Sequence, residues 1–234
     1  MNRALLSPDG RQYAYFASEA SASTVHVLDV ATNTDTTVYR GSTLYFPIAF
    51  ESEGIYLVHA VAPRQGAFEK LYRLDPSGGT PQLVPGSDRH MYQWGWVMIA
   101  YGAAWGIDTR VQGNTYFYSV LRLDLATSRV TQWFEGPADK LFWPLGVDGK
   151  RRLFVADQDH LIRVDQPGLS VSQPDGGPVT GFDGPGQAPV FASDARGAWF
   201  ASTGGVWLYP GNGAPEKFTV GPSDAMVAPA GPCL

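Results

Sequence analysis

Short apolar runs, some continuous and some alternating with polar residues, recur along the whole chain, and each is stopped by Gly, Pro, Asn, Asp or Ser. That is the period of strands and tight turns, and no long helical pattern interrupts it. The runs come in a fixed order. An apolar segment opens each unit ("ALLSPDG", "FPIAFESEG", "QWGWV", "WPLGVDGK", "APVFASDARG"), and a second follows at once ("QYAYFAS", "GIYLVHAV", "MIAYGAAW", "RLFVAD", "GAWFAS"). A third ends in Asp, and a more polar fourth closes the unit, as in "TDTTVYR" or "RVTQWFE". Two inner strands apolar on both faces belong between neighbouring sheets, whereas a polar fourth strand suits an outer edge.

The Asp-ending strands mark the repeat: "VHVLDV", "LYRLDP", "VLRLDL" and "LIRVDQ", with "VWLYPG" as a fifth copy that lacks the acid. Asp29, Asp75, Asp124, Asp165 and Tyr209 stand 46, 49, 41 and 44 residues apart, the spacing of propeller blades. The expected fold is all-β, a five-bladed β-propeller of four-stranded antiparallel blades over 3–41, 44–86, 90–136, 141–175 and 186–221, with 222–234 as a closing segment. An incomplete six-bladed propeller is the alternative, because "AMVAP" could begin another blade. A carboxylate at the end of a strand caps the amides of the turn beyond it, so the repeated Asp residues read as turn punctuation rather than as catalytic groups or metal ligands.

The first unit, "SPDGRQYAYFAS…STVHVLDVATNTDTTV", resembles the WD40-like repeat of TolB-type propellers in its Ser-Pro-Asp-Gly-Arg turn and Asp-ending third strand. Later units keep only parts of that turn, such as "VDGKR" and "SDARG". Such repeats occur in scaffolds, periplasmic partner proteins and non-catalytic domains of peptidases, so the resemblance implies binding more than catalysis.

Composition narrows the classes further. Gly at 27 and Pro at 18 of 234 residues suit many tight turns in one all-β domain. A net charge of -5, with Lys150 to Arg152 as the only basic cluster, carries no footprint for nucleic acid. The single Cys233 leaves no disulfide framework and no cysteine zinc site. Gly95 to Ile107 is too short to span a bilayer and reads as a buried strand pair. The N-terminus lacks the basic and apolar regions of a secretion signal. Low charge, Gly/Ser/Thr-rich loops and the resemblance nevertheless favour a periplasmic or secreted location.

No motif commits the chain to a reaction: Gly-x-Ser-x-Gly, a phosphate loop and His-Glu-x-x-His are all missing. Within the opening segments, the inner stretches Ala4–Leu6, Phe46–Phe50, Gln93–Val97, Trp143–Val147 and Ala188–Ala192 hold no Asp or Glu, with Glu51, Glu53, Asp148 and Asp194 expected in the turns beyond. A glycoside hydrolase or lyase acting at the channel mouth is therefore the alternative to a non-catalytic module, and no catalytic residue, metal or cofactor is assigned. His26 and His59 read as packed, hydrogen-bonded strand residues. Function is expected on two long connections, Gly106 to Tyr118 and Pro174 to Gln187. Arg110, Asn114, Tyr116, Tyr118, Phe182 and Asp183 from these, with Arg89, His90, Asp139 and Lys140 from shorter loops, form a candidate aromatic and polar surface for a glycan, peptide or protein partner.

Overall fold

The computed structural model describes residues 5–19, 22–62, 67–89, 91, 94–156, 161–171, 191–194, 196–202, 205–210 and 216–220. Among these residues there are twenty strands and no helix, so none could cross a membrane as a helix. The strands follow the expected order. The first sheet is β1 (Leu5–Leu6), β2 (Gln12–Glu19), β3 (Ala22–Asp29) and β4 (Thr34–Gly41), paired antiparallel in sequence order. Next come β5 (Tyr45–Glu51), β6 (Gly54–Ala62), β7 (Ala67–Leu74) and β8 (Gln82–Leu83), then β9 (Gly95–Ala100), β10 (Ala103–Gln112), β11 (Thr115–Asp124) and β12 (Val130–Glu135). These two groups are joined by a single parallel pairing, Phe68 with Gly95. The last two sheets are β13 (Trp143–Val147), β14 (Leu153–Ala156), β15 (Leu161–Gln166) and β16 (Leu169–Val171), and β17 (Phe191–Asp194), β18 (Gly197–Ser202), β19 (Gly205–Tyr209) and β20 (Glu216–Val220).

The chain divides into two compact units, Met1–Thr109 with Arg122–Val130, and Arg110–Leu121 with Thr131–Leu234. In the first, the core lies between sheets. Ala14, Val25, Val27 and Val38 of one sheet pack on Tyr45, Phe50, Ile55, Leu57 and Leu74 of the next. In the second, Phe154 and Ala156 pack on Ala198 and Tyr209. Four of the strands that open or follow in each group are buried through most of their length, whereas β4 begins with four exposed residues. Burial on both faces explains why the inner strands carry no alternation.

The repeated acids act on turns. Asp29 accepts from Thr32 N–H at 2.8 Å, Asp75 from Ser77 N–H at 2.8 Å and Asp124 from Thr127 N–H at 3.0 Å. Asp165 departs from the pattern and pairs with Arg163 at 2.8 Å, because the turn after it, Pro167-Gly168, is only two residues long before β16. The opening turn of the first sheet also has a counterpart in the fourth. Ser7 N–H donates to Gln12 O and Gly10 N–H to Ser7 O, as Asp148 N–H does to Arg152 O and Arg151 N–H to Asp148 O. Arg151 takes the left-handed φ of 62° where the first turn has Gly10 at 70°.

Two expectations need correction. The break after Val97 is misplaced, since β9 runs on through Met98 and Ile99 to Ala100 and reverses at Tyr101-Gly102, with φ of 49° and 68°. Positive φ at both central residues is the geometry of a two-residue type I′ hairpin, which "AYGA" does not advertise. The segment from Gly106 to Tyr118 is not a loop either. It is the far half of the β10–β11 hairpin, closed by Gly113-Asn114. The connection Pro174 to Gln187 and the segment 222–234 lie outside the described residues.

Gly54, opposite Glu51 across the β5–β6 turn, has φ 134°, and a Cβ there would stand 2.7 Å from the Leu74 carbonyl oxygen. Gly54→Ala is therefore expected to cost about 2 kcal/mol, read as a lowered urea midpoint, without altering the strand content. The turn acids make stability depend on pH. Donation from the Thr32 amide to Asp29, the Ser77 hydroxyl to Asp75 and the Thr127 hydroxyl to Asp124 lowers each carboxyl below its ordinary 3.8. A depressed folded-state pKa stabilises above the unfolded value and is lost as pH falls through the folded one. Stability should decline below pH 3.8, and Asp→Asn at all three positions should make that decline shallower in urea titrations across the acid range.

Candidate functional site

β10 pairs with β9 from Ala103 to Ile107 and then continues five residues further, to Gln112. The chain reverses at Gly113, whose φ of 63° suits the first central position of a type II′ turn, and returns along β11. A two-residue turn sets Gln112 opposite Thr115, Val111 opposite Tyr116 and Arg110 opposite Phe117, with alternate pairs on opposite faces. Side-chain contacts agree. The Arg110 guanidinium lies 4.3 Å over the Phe117 ring, bonds Gln112 Oε1 at 3.2 Å and stands 3.8 Å from Glu135, which accepts from Ser119 Oγ at 3.1 Å.

Tyr116 and Tyr118 occupy the other face, their rings 6.3 Å apart and 14° from parallel, and Val111 shares that face at 46% exposure. Arg110 is thus not brought together with the tyrosines. Strand alternation separates residues that a loop would have let converge.

Asp139 does join the tyrosines. With φ at 59°, its N–H donates to Tyr116 O at 2.7 Å while its Oδ1 accepts the Tyr116 N–H at 2.8 Å. Gly136 N–H completes the same edge on Tyr118 O at 3.1 Å. Burial, then Tyr116 and Asp139, push the Tyr118 hydroxyl pKa upward, so this face presents a neutral phenol as both donor and acceptor. Asn114 is exposed at the turn, and Lys140 is exposed on the Asp139 loop with its N–H on Pro137 O. Arg89 faces Asp108 at 3.4 Å in the other compact unit. His90, Phe182 and Asp183 lie outside the described residues.

A second cluster escaped the reading of motifs. Thr24 Oγ1, His26 Nε2 and Nδ1, and Asp35 Oδ2 line up at 3.0 and 3.1 Å, the order of a nucleophile, base and acid. The hydroxyl cannot serve. Thr24 has no exposed surface and donates to Ala17 O at 3.0 Å, so no substrate carbonyl reaches it. Tyr15 stacks on His26 and donates to Asp35 at 2.9 Å, which makes the group a polar packing network across β2, β3 and β4. The packed His26 expected from its strand position is what the fold contains. The signal for the rest was the two-residue spacing of Thr24 and His26, which puts both on one face of β3.

The acids expected in the turns after the opening segments also shift slightly. Glu51 and Asp194 are the last residues of β5 and β17, opposite Gly54 and Gly197. Burial, reinforced by Glu53, raises the Glu51 carboxyl above its ordinary range. Asp148 is buried and held by Arg152 at 2.6 Å, a turn-fixing pair. Among the described residues no three His, Cys, Asp or Glu side chains gather as a metal site.

In sequence, no family model and no curated protein matches the chain. Its structure is similar to a chain of a nidogen/laminin complex, with a TM-score of 0.58 at 11% identity, covering 97% of this chain and 79% of that one. It is similar also to the β-propeller domain of the Trilobed protease from Pyrococcus furiosus, described as having an open velcro topology (TM-score 0.50, 13% identity, 94% and 69% covered). TolB from Acinetobacter baumannii gives 0.50 at 11% identity, covering 88% of this chain and 50% of that one. At such identities the likeness speaks for the fold alone. Together with the four-stranded antiparallel sheets and the Asp-capped turns, it makes this a chain of β-propeller repeats, similar in fold to the propellers of these proteins.

Proposed function

We propose that the chain is one five-bladed propeller domain over 1–234 that works as a non-catalytic binding module for a protein, peptide or glycan, using the projecting end of the β10–β11 hairpin as its contact surface. The observation that carries this reading is the parallel pair Tyr116 and Tyr118 beside the exposed Val111, held on a hairpin that runs past its neighbour β9. Aromatic side chains fixed on a strand lose little conformational entropy on contact and offer both an apolar face and a hydroxyl, which suits them to be binding anchors. Asp139 fixes the strand that carries them, and Asn114 and Lys140 supply a polar rim. Phe182 and Asp183 extend the proposal on sequence grounds alone.

The test is a panel of glycans, peptides and candidate proteins screened against the intact chain, followed by the double variant Tyr116→Ala, Tyr118→Ala. Loss of two anchors should weaken binding roughly thirtyfold or more, while the thermal midpoint stays near that of the parent. A hit that crosslinks to the Ser7–Arg11 end, or a variant that unfolds while its remaining folded fraction binds as before, would place the tyrosines in packing and end the proposal.

A further inference from the structure

Where an aromatic ring and a carboxylate lie side by side, this chain repeatedly sets an arginine against both. Arg110 lies 4.3 Å over the Phe117 ring and 3.8 Å from Glu135. Arg122 lies 5.9 Å from the Trp105 ring centre and 3.1 Å from Asp124, and Arg163 lies 5.9 Å from the Tyr209 ring centre and 2.8 Å from Asp165. A guanidinium suits both neighbours at once, because the ring attracts its charge while its N–H edge donates to the carboxylate. Tyr116, Tyr118 and Asp139 bring the same ingredients together on the opposite face of β11 from Phe117. The two rings lie 6.3 Å apart and 14° from parallel, and Asp139 is fixed beside them because its Oδ1 accepts the Tyr116 N–H at 2.8 Å. Asp139 is exposed, and its charge reaches the phenol: after burial and Tyr116, it pushes the Tyr118 hydroxyl pKa upward. Tyr118 therefore stays neutral and keeps an oxygen that accepts. Among the described residues no cationic side chain is laid on these two rings or paired with Asp139.

We infer that Tyr116, Tyr118 and Asp139 receive an arginine side chain from a peptide segment of a partner. This rests on the hairpin being the contact surface and names the chemistry of what it contacts. A guanidinium carries five donors in one plane, enough to reach Asp139 Oδ2 and the Tyr118 oxygen together while its face lies on a ring. A lysine ammonium brings the charge without the plane, and a neutral glycan brings neither. Lys140 follows Asp139 in the chain and is exposed. Its charge disfavours a ligand with several cations, so the segment presents one arginine between uncharged residues.

The probe is an acetylated, amidated Gly-Ser-Arg-Ser-Gly peptide titrated onto the intact chain, with the tyrosine ring protons followed by NMR. Saturable shifts are expected at Tyr116 and Tyr118. Replacing the arginine by citrulline, which keeps the planar head and removes the charge, should weaken binding about tenfold, and replacing it by lysine about threefold. Asp139→Asn retains an oxygen for the Tyr116 N–H and loses the charge. It should weaken binding about tenfold while the exchange rate of the Tyr116 amide and the circular dichroism stay as in the parent. Glu135→Gln, on the Arg110 face, should leave binding unchanged. The peptide series uses the parent protein, so the result does not depend on a variant folding. No saturable shift at the tyrosines, equal binding of the arginine and citrulline peptides, unchanged binding by Asp139→Asn, or an equal loss with Glu135→Gln would overturn the inference. If the Tyr116→Ala, Tyr118→Ala variant still lost a glycan or protein found in the panel in that case, the contact surface would stand and only its assignment to arginine would fall.

Discussion

The apolar layer between neighbouring sheets is the interaction on which the rest of the structure depends. A four-stranded sheet with Val25, Val27 and Ala14 on one side cannot stay in water alone. It is covered only when Ile55, Leu57 and Leu74 of the following sheet arrive. Each such side chain, fully buried, contributes on the order of 2 kcal/mol, while a solvent-exposed hydrogen bond in a turn contributes much less because water competes for it. The repeat is therefore the unit of sequence, and the pair of sheets is the unit of stability.

That constraint dictates where chemistry can be displayed. Strands packed between sheets have no room for an unpaired charge, and Thr24 of β3 shows how far burial reaches, since a hydroxyl set beside a histidine and a carboxylate is sealed inside the sheet. What remains is the ends of the strands. Most of them close in tight turns whose polar atoms are spent on their own amides, as Asp29, Asp75, Asp124 and Asp148 are. The β10–β11 hairpin departs from this economy by running past its neighbour, and it exposes side chains of strand-like rigidity rather than a flexible loop.

Turn chemistry is conserved in geometry more than in residue type within the chain. Ser7 in the first turn and Asp148 in the fourth each accept an amide with the side chain, from Gln12 and Arg152, although one is a hydroxyl and the other a carboxylate paired with arginine. The left-handed position passes from Gly10 to Arg151. A turn with one acceptor at its start tolerates such exchanges, so the fourth copy differs from the first in letters and keeps its reversal, Arg151 N–H to Asp148 O as Gly10 N–H to Ser7 O, whereas β5–β6 and β9–β10 reverse in two residues.

Strand identity, the order of four strands per unit, the spacing of the units and the capping role of Asp29, Asp75 and Asp124, though not of Asp165, were legible in the sequence, because each rests on contacts within a few residues. The position of a reversal was not always legible: Tyr101-Gly102 and Gly113-Asn114 hold turns that the surrounding apolar letters obscure. Shifting a turn by one residue moves every following side chain to the other face, so only the folded hairpin could decide that Tyr116 and Tyr118 lie together with Val111 while Arg110 lies across the sheet on Phe117. The tertiary structure likewise decided that Asp139, more than twenty residues from Tyr116 in the chain, completes its edge, and that Thr24 is unreachable. Local patterning determines which residues form strands, whereas register and burial belong to the partners that the strands meet.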